Sequence, residues 1–168
     1  CGLTNKQIQT AFDTFRGVKR RMEVRGVAGG VTVVDDFGHH PTAIRETLKA
    51  LRIKYPGQKL WAVFEPRSQS TRRNVFQNDF PTAFRDANTV IIAEVAFANV
   101  LAPEERLDTA KLLADLTAGG QRAEFLPDVD TIVHHLGQHA QGGDVVCVFT
   151  NGGFGNIHAK LLERLGKR

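Results

Sequence analysis

Val33-Val34-Asp35-Asp36-Phe37-Gly38-His39-His40-Pro41-Thr42 joins a short apolar run to two carboxylates and two imidazoles just ahead of a helix start. The pattern reads as the carboxyl end of a buried strand feeding a helix, the place where open α/β sheets hold ligands. Comparable apolar runs recur at Val31–Asp35, Leu60–Phe64, Val90–Ala93, Ala123–Leu126 and Val145–Phe149, and short continuous runs of this kind read as buried parallel strands. Between them, Ile44, Leu48 and Leu51 share one helical face, as do Val129, Ile132, Val133 and Leu136, so each segment turns one apolar stripe to a sheet. The alternation predicts an α/β fold: a Rossmann-like, mostly parallel sheet with right-handed crossovers and helices on both faces.

Local signals agree with that frame. Pro41 suits a first helical turn, Asp128 an N-cap, and Gly119 the left-handed position ending a helix around Ala110–Ala118. Asn5 to Phe15 reads as a helix, and Gly17 to Val24 alternates like a half-exposed strand before Gly26 to Gly30 turns the chain, which predicts an N-terminal hairpin. A last helix carries Ile157, Leu161, Leu162 and Leu165 directly after Asn151-Gly152-Gly153-Phe154-Gly155, a second strand-to-helix corner. Ala98 to Arg106 lacks periodicity and reads as a loop over the site's edge.

Composition narrows the function. The chain has 168 residues, 42% of them apolar, enough for one domain with a real core. Its 22 Lys and Arg against 18 Asp and Glu are scattered, which argues against a nucleic-acid binder and leaves a mild preference for anionic small molecules. Cys1 and Cys147 form no CxxC, so the thiols suggest a reducing compartment, with Cys147 as a small core residue and no metal or disulfide framework. No apolar stretch approaches the roughly 20 residues that span a bilayer, and the first residues lack a signal-peptide core. The expectation is a cytoplasmic protein without a membrane partner.

Three groups carry the candidate chemistry. Asp35, Asp36, His39 and His40 can be read as a solvated corner, as metal ligands, or as a ligand site in which Asp36 accepts from ribose-type hydroxyls and His39 donates toward phosphate. His134, His135, His139 and His158 offer the metal reading no convincing partner. Phe64-Glu65-Pro66-Arg67-Ser68-Gln69-Ser70-Thr71-Arg72-Arg73-Asn74 brings three guanidiniums to the same sheet edge. It reads either as a solvated cationic helix start or, since cations are unfavourable in a first helical turn, as an anion site. The glycines of 151–155 permit a tight turn, without the spacing of a dinucleotide fingerprint.

Asp35 to Thr42, the upstream Gly17-Val18-Lys19-Arg20-Arg21, Phe64-Glu65-Pro66-Arg67-Ser68 and Asn151-Gly152-Gly153-Phe154-Gly155 together closely resemble the C-terminal domain of Mur ligases over nearly the whole chain. The second motif and the glycine corner are similar to the branch joining L-Ala-γ-D-Glu-meso-diaminopimelate to UDP-N-acetylmuramate in peptidoglycan recycling. The branch that adds free L-alanine has a glutamine-, histidine- and arginine-rich version of that motif, from which Glu65, Arg67 and Ser68 depart. What the resemblance implies is ATP-driven amide synthesis through an acyl phosphate, with ATP and Mg2+ bound mainly by another domain. This chain contains no G-x-x-x-x-G-K-[ST], so it is expected to work with a central ATPase domain and an N-terminal UDP-sugar domain of the same polypeptide. Residues 1–16 would be the tail of the central domain or a linker and 17–168 the C-terminal domain, inactive alone. By the same resemblance Asp36 and His39 would face nucleotide, with His40 shaping the turn and Asp35 structural. Arg67, Ser68, Arg72 and Arg73 would face the tripeptide, with Asn151, Gly152, Gly153 and Phe154 as the neighbouring wall. A stand-alone metal-dependent phosphoesterase is the alternative from another class.

Overall fold

The computed structural model describes every residue except Cys1 and Arg16, so the expectations placed on those two lie outside the described residues. The elements are α1 (Asn5–Thr14), β1 (Glu23–Ala28), β2 (Val31–Asp36), α2 (Pro41–Lys54), β3 (Leu60–Phe64), α3 (Phe80–Ala83), β4 (Thr89–Ile92), α4 (Thr109–Ala118), β5 (Arg122–Phe125), α5 (Val129–His139), β6 (Val145–Phe149) and α6 (Ile157–Gly166). They build one sheet in the order β1-β2-β6-β3-β4-β5, with β1 antiparallel to β2 and every other pair parallel.

Alternate residues of the buried strands supply two cores. Val34, Ala62, Phe64, Ile92 and Cys147 pack with Ile44 and Leu48 of α2, Phe80 of α3 and Leu112 of α4. Val33, Val63, Ile91 and Val148 pack on the other face with Ile132 and Leu136 of α5 and Leu161 of α6. The placement follows from handedness: crossovers stepping outward from β2 to β5 put their helices on one face, and the return from β5 to β6 puts α5 on the other. No described helix is long and apolar enough to cross a membrane.

The hairpin is present but shifted along the chain. Residues 17–22 form turns, with positive φ at Arg20 and Met22, because the ends of β2 draw this segment across themselves: Asp36 Oδ2 accepts from Met22 N at 2.9 Å. Gly26 lies within β1, and the two-residue turn is Gly29-Gly30 alone, at φ 56° and 76°, the geometry that matches strand twist in tight hairpins. Gly119 is right-handed at φ −76°, and Gly120 takes the left-handed position at φ 90°. β5 is an edge strand whose Arg122 and Phe125 are exposed rather than a buried one. No helix starts at Arg67: Ser68 and Thr71 close a turn, followed by a 3₁₀ turn at Asn74–Phe76. The α4 N-terminus is capped by Asp108 and that of α5 by Asp128, as expected for the latter.

At the end of the sheet away from the candidate site, Asp144 Oδ2 accepts from Trp61 Nε1 at 2.8 Å and from Gln141 N at 3.0 Å. Asp144→Ala strands both donors, and we expect a loss of about 1–3 kcal/mol. Thermal melting followed by circular dichroism should show Tm falling by about 2–4 °C for each kcal/mol.

Candidate functional site

Register places three motifs at one level. Asp36 pairs with Phe149, Phe149 with Phe64, and Phe64 with Ile92. The residues that follow each of these therefore leave the sheet along one rim. β6 leads to α6 on the face opposite α2 and α3, so the chain diverges on both sides of β6, which is where doubly wound sheets open for ligands.

At the first corner the carboxylates face inward. Asp36 is 1% exposed. Its Oδ1 accepts from Gly38 N at 2.6 Å, and its Oδ2 accepts from Met22 N and, at 3.3 Å, from Thr47 Oγ1. These bonds fasten the 17–22 segment and α2 to the end of β2, so Asp36 is a fastener rather than an open acceptor for a ribose hydroxyl. Asp35 is equally buried, 3.2 Å from Arg20 Nε and 3.7 Å from Arg25 Nη1. His39 Nδ1 lies 3.1 Å from the Phe37 carbonyl. A carbonyl only accepts, so Nδ1 carries the proton and a neutral His39 offers Nε2 as an acceptor. Donation from Nε2 toward phosphate needs the imidazolium. His40 caps α2, its Nδ1 accepting from Thr42 N at 3.2 Å, and its ring meets Phe76 at 4.7 Å.

At the second corner two guanidiniums share one ring. Arg67 Cζ stands 5.1 Å and Arg72 Cζ 5.9 Å from the Phe97 centroid, within cation–π range. The Arg67 guanidinium has one polar contact among the described residues, Glu65 Oε1 at 3.5 Å, and is 37% exposed. Arg72 is 8% exposed, bonds Gln69 Oε1 through Nη2, and buries its Nε without a partner. Arg73 turns away to Glu105 at 2.6 Å and leaves the group. Ser68 Oγ bonds Thr71 Oγ1 at 2.9 Å, so its hydroxyl holds the turn.

The third corner leans on the second. A Cβ placed on Gly152 would come within 2.6 Å of Arg67 Nε and 3.1 Å of its Cζ, so only glycine lets the guanidinium lie against this backbone. Asn151 Oδ1 is buried without a partner. Gly153 is exposed, whereas Phe154 is 8% exposed and packs into the core beside Ile157, an anchor for the corner rather than part of its wall.

The structure thus brings Arg67, Arg72 and Gly152 together, places His39 and His40 on the same rim, and removes Arg73 from the cluster. Phe97 escaped the sequence reading, although an exposed aromatic bordering the aperiodic 98–106 segment was the available signal. Thr150 also escaped it: a buried polar residue directly after five apolar ones was its mark. Among the described residues no three His, Cys, Asp or Glu side chains gather as metal ligands.

Comparison with known proteins gives this geometry a context. The family described as Mur ligase, glutamate ligase domain, matches residues 20–152. The UDP-N-acetylmuramate–L-alanyl-γ-D-glutamyl-meso-2,6-diaminoheptandioate ligase of Escherichia coli is 38% identical over 99% of this chain and 35% of its own length. The UDP-N-acetylmuramate–L-alanine ligase of Geobacter sulfurreducens is also 38% identical, over 90% of this chain and 32% of its own. The crystal structure of a murein peptide ligase from Psychrobacter arcticus superposes with a TM-score of 0.78 at 32% identity, covering 99% of this chain and 34% of that one. The chain therefore spans about a third of the length of the curated relatives it matches.

His158 of α6 faces Asp35, Nε2 to Oδ1 at 3.4 Å, with Arg20, Arg25 and Glu23 nearby. Burial pushes its imidazole below the ordinary value of 6.5, and the Asp35 carboxylate opposes the shift. A pKa lower in the folded state means the unfolded chain takes up this proton more readily. The histidine's contribution to stability is thus intact above about 6.5 and lost as pH falls through the lower folded value. His158→Gln should flatten the decline of Tm below about pH 6.5, checked by melting the parent and the variant across that range.

Proposed function

The chain belongs to the Mur ligase family, and we propose that it is the closing domain of an ATP-dependent amide ligase joining L-Ala-γ-D-Glu-meso-diaminopimelate to UDP-N-acetylmuramate in peptidoglycan recycling. The observation that carries this reading is the Arg67 and Arg72 pair. Both guanidiniums stand over Phe97, Arg67 also lies against the Gly152 backbone, and Arg67, 37% exposed, keeps N–H groups for an anion. A tripeptide with several carboxylates gives such a pair something to bind, whereas free L-alanine offers one.

In this reading ATP, when bound, supplies the phosphoryl group that makes the sugar-lactyl carboxylate an acyl phosphate. The chain's own part is positioning, the main contribution a protein makes to such chemistry. Arg67 and Arg72 hold the tripeptide by its carboxylates so that its α-amine faces the activated carbonyl. Arg21, half exposed and packed against the Phe37 ring at 5.7 Å, and His39 form a polar face suited to nucleotide phosphates and hydroxyls, with Arg20 beside them turned inward to Asp35 and the Thr150 and Gly152 carbonyls. Asp36 is taken up by hydrogen bonds within the domain and Asp35 faces Arg20, so in this reading the grip on the metal and the triphosphate belongs to the proposed central domain.

The domain boundary follows the same logic. α1 has no buried residue and exposes Ile8 and Phe12, with Phe15 just beyond it, while the family match begins at residue 20. A short helix draws most of its stability from a packed apolar face. These features support reading residues 1–16 as the tail of the preceding domain or a linker.

Transfer of free L-alanine is the second reading, favoured by the equal identity to the Geobacter sulfurreducens enzyme. The deciding experiment is ATP-dependent ligation by the full-length protein carrying this chain, with tripeptide and L-alanine compared as amine donors. Preference for the tripeptide is expected, and preference for L-alanine overturns the first reading. A charge-assisted hydrogen bond contributes about 1.5–3 kcal/mol, so Arg67→Ala should raise the tripeptide KM on the order of tenfold to a hundredfold. An unchanged KM would reject its role.

A further inference from the structure

We infer that Glu65 is a positioning residue that sets amine-donor binding by locking the Arg67 corner and the Asn151–Gly152 corner into one unit; the inference rests on the reading of Arg67 above. Glu65 is 6% exposed and Thr150 fully buried. Thr150 Oγ1 donates to Glu65 Oε2, the other carboxylate oxygen faces Arg67 Nη1 at 3.5 Å, and Thr150 Oγ1 accepts from Gly152 N at 3.0 Å. Arg20 Nη2 closes the far side, donating to the carbonyls of Thr150 at 2.7 Å and Gly152 at 3.0 Å. One carboxylate thus fixes both the direction of the Arg67 guanidinium and, through a single hydroxyl, the backbone that the guanidinium lies against.

The hydrogen-bond inventory favours a group that accepts at both ends. Thr150 Oγ1 receives Gly152 N–H on one of its two lone pairs and has one proton to place, for which the Glu65 carboxylate is the acceptor. Arg67 has only donors, so whatever faces it must accept too. A carboxylate meets both demands. A glutamine accepts on one side only: with its NH2 toward Arg67 it sets donor against donor, and with its NH2 toward Thr150 it leaves the hydroxyl proton without the acceptor Glu65 supplies. Burial makes the mismatch costly, since water cannot make up the missing bond.

The test is steady-state kinetics of the full-length ligase on Glu65→Gln, Thr150→Val and Thr150→Ser beside Arg67→Ala, with whichever amine donor the parent accepts. Glu65→Gln should lower Tm by a few degrees and raise the donor KM about tenfold, with kcat and the KM values for ATP and UDP-N-acetylmuramate held at parental levels. Thr150→Val should raise the donor KM as well, and Thr150→Ser, which keeps the hydroxyl, should restore it. An unchanged donor KM in Glu65→Gln overturns the inference, and so does an equal rise for all three substrates, the mark of general loosening. If Thr150→Val fails to fold, Glu65→Gln and Thr150→Ser decide. If Arg67→Ala raises the donor KM and Glu65→Gln does not, the positioning role alone falls. If neither variant moves it, the reading of Arg67 falls as well.

Discussion

The insertion of β6 between β2 and β3 is the constraint on which the rest depends. Because β6 pairs in parallel with both neighbours, residues 36, 149 and 64 stand in one row, and the corners after them must emerge side by side. Because the chain enters β6 on the return crossover, the corner after it turns to the opposite face from its neighbours. Segments 115 residues apart in sequence, such as Asp36 and Asn151, reach one rim through this topology rather than through any local attraction.

Much of this was legible in the sequence, for reasons that differ by element. β3 and β6 are buried on both faces, so their runs are continuously apolar and stand out, and β2 is marked by Val31, Val33 and Val34 ahead of its two aspartates. The α2 and α5 stripes follow from helical period, and the Pro41 and Asp128 signals follow from the backbone groups that helix ends leave open. The edges were harder to read. β1 was displaced because Asp35 and Asp36 bind the 17–22 segment through tertiary contacts that no local alternation encodes. The glycine after α4 was misassigned by one position because Gly119 and Gly120 are adjacent and composition does not say which one reverses the chain.

The site was legible as a set of residues and illegible as a set of roles. Asp36, His39, Arg67 and Gly152 were marked by residue type at strand ends, which is sound as far as position goes. Their chemistry depends on which atoms are already used. Asp36 spends its carboxylate on two backbone amides and a threonine, so the most conspicuous acid in the chain is structural. Arg73, identical in type to its neighbours, pairs with Glu105. Arg67 keeps its donors because the groups beside it are a ring, a glycine backbone and one carboxylate at 3.5 Å.

Backbone strain beside the rim fits this division of labour. Phe154, Gly155 and Asn156 all have positive φ, at 37°, 53° and 57°, a conformation that costs a non-glycine residue about 1–2 kcal/mol. The cost is offset where Phe154 enters the core with Ile157 and Leu161, and burial of a phenylalanine contributes about 1.5–3 kcal/mol. A residue there whose side chain did not reach the core would leave the left-handed turn without compensation, and the Asn151–Gly153 backbone would lose one of its three tethers. The other two are the Arg20 donor and the Thr150 hydroxyl. The wall beside Arg67 is therefore set by packing and hydrogen bonds within the domain, and the exposed edge of the guanidinium is the part left open to a ligand.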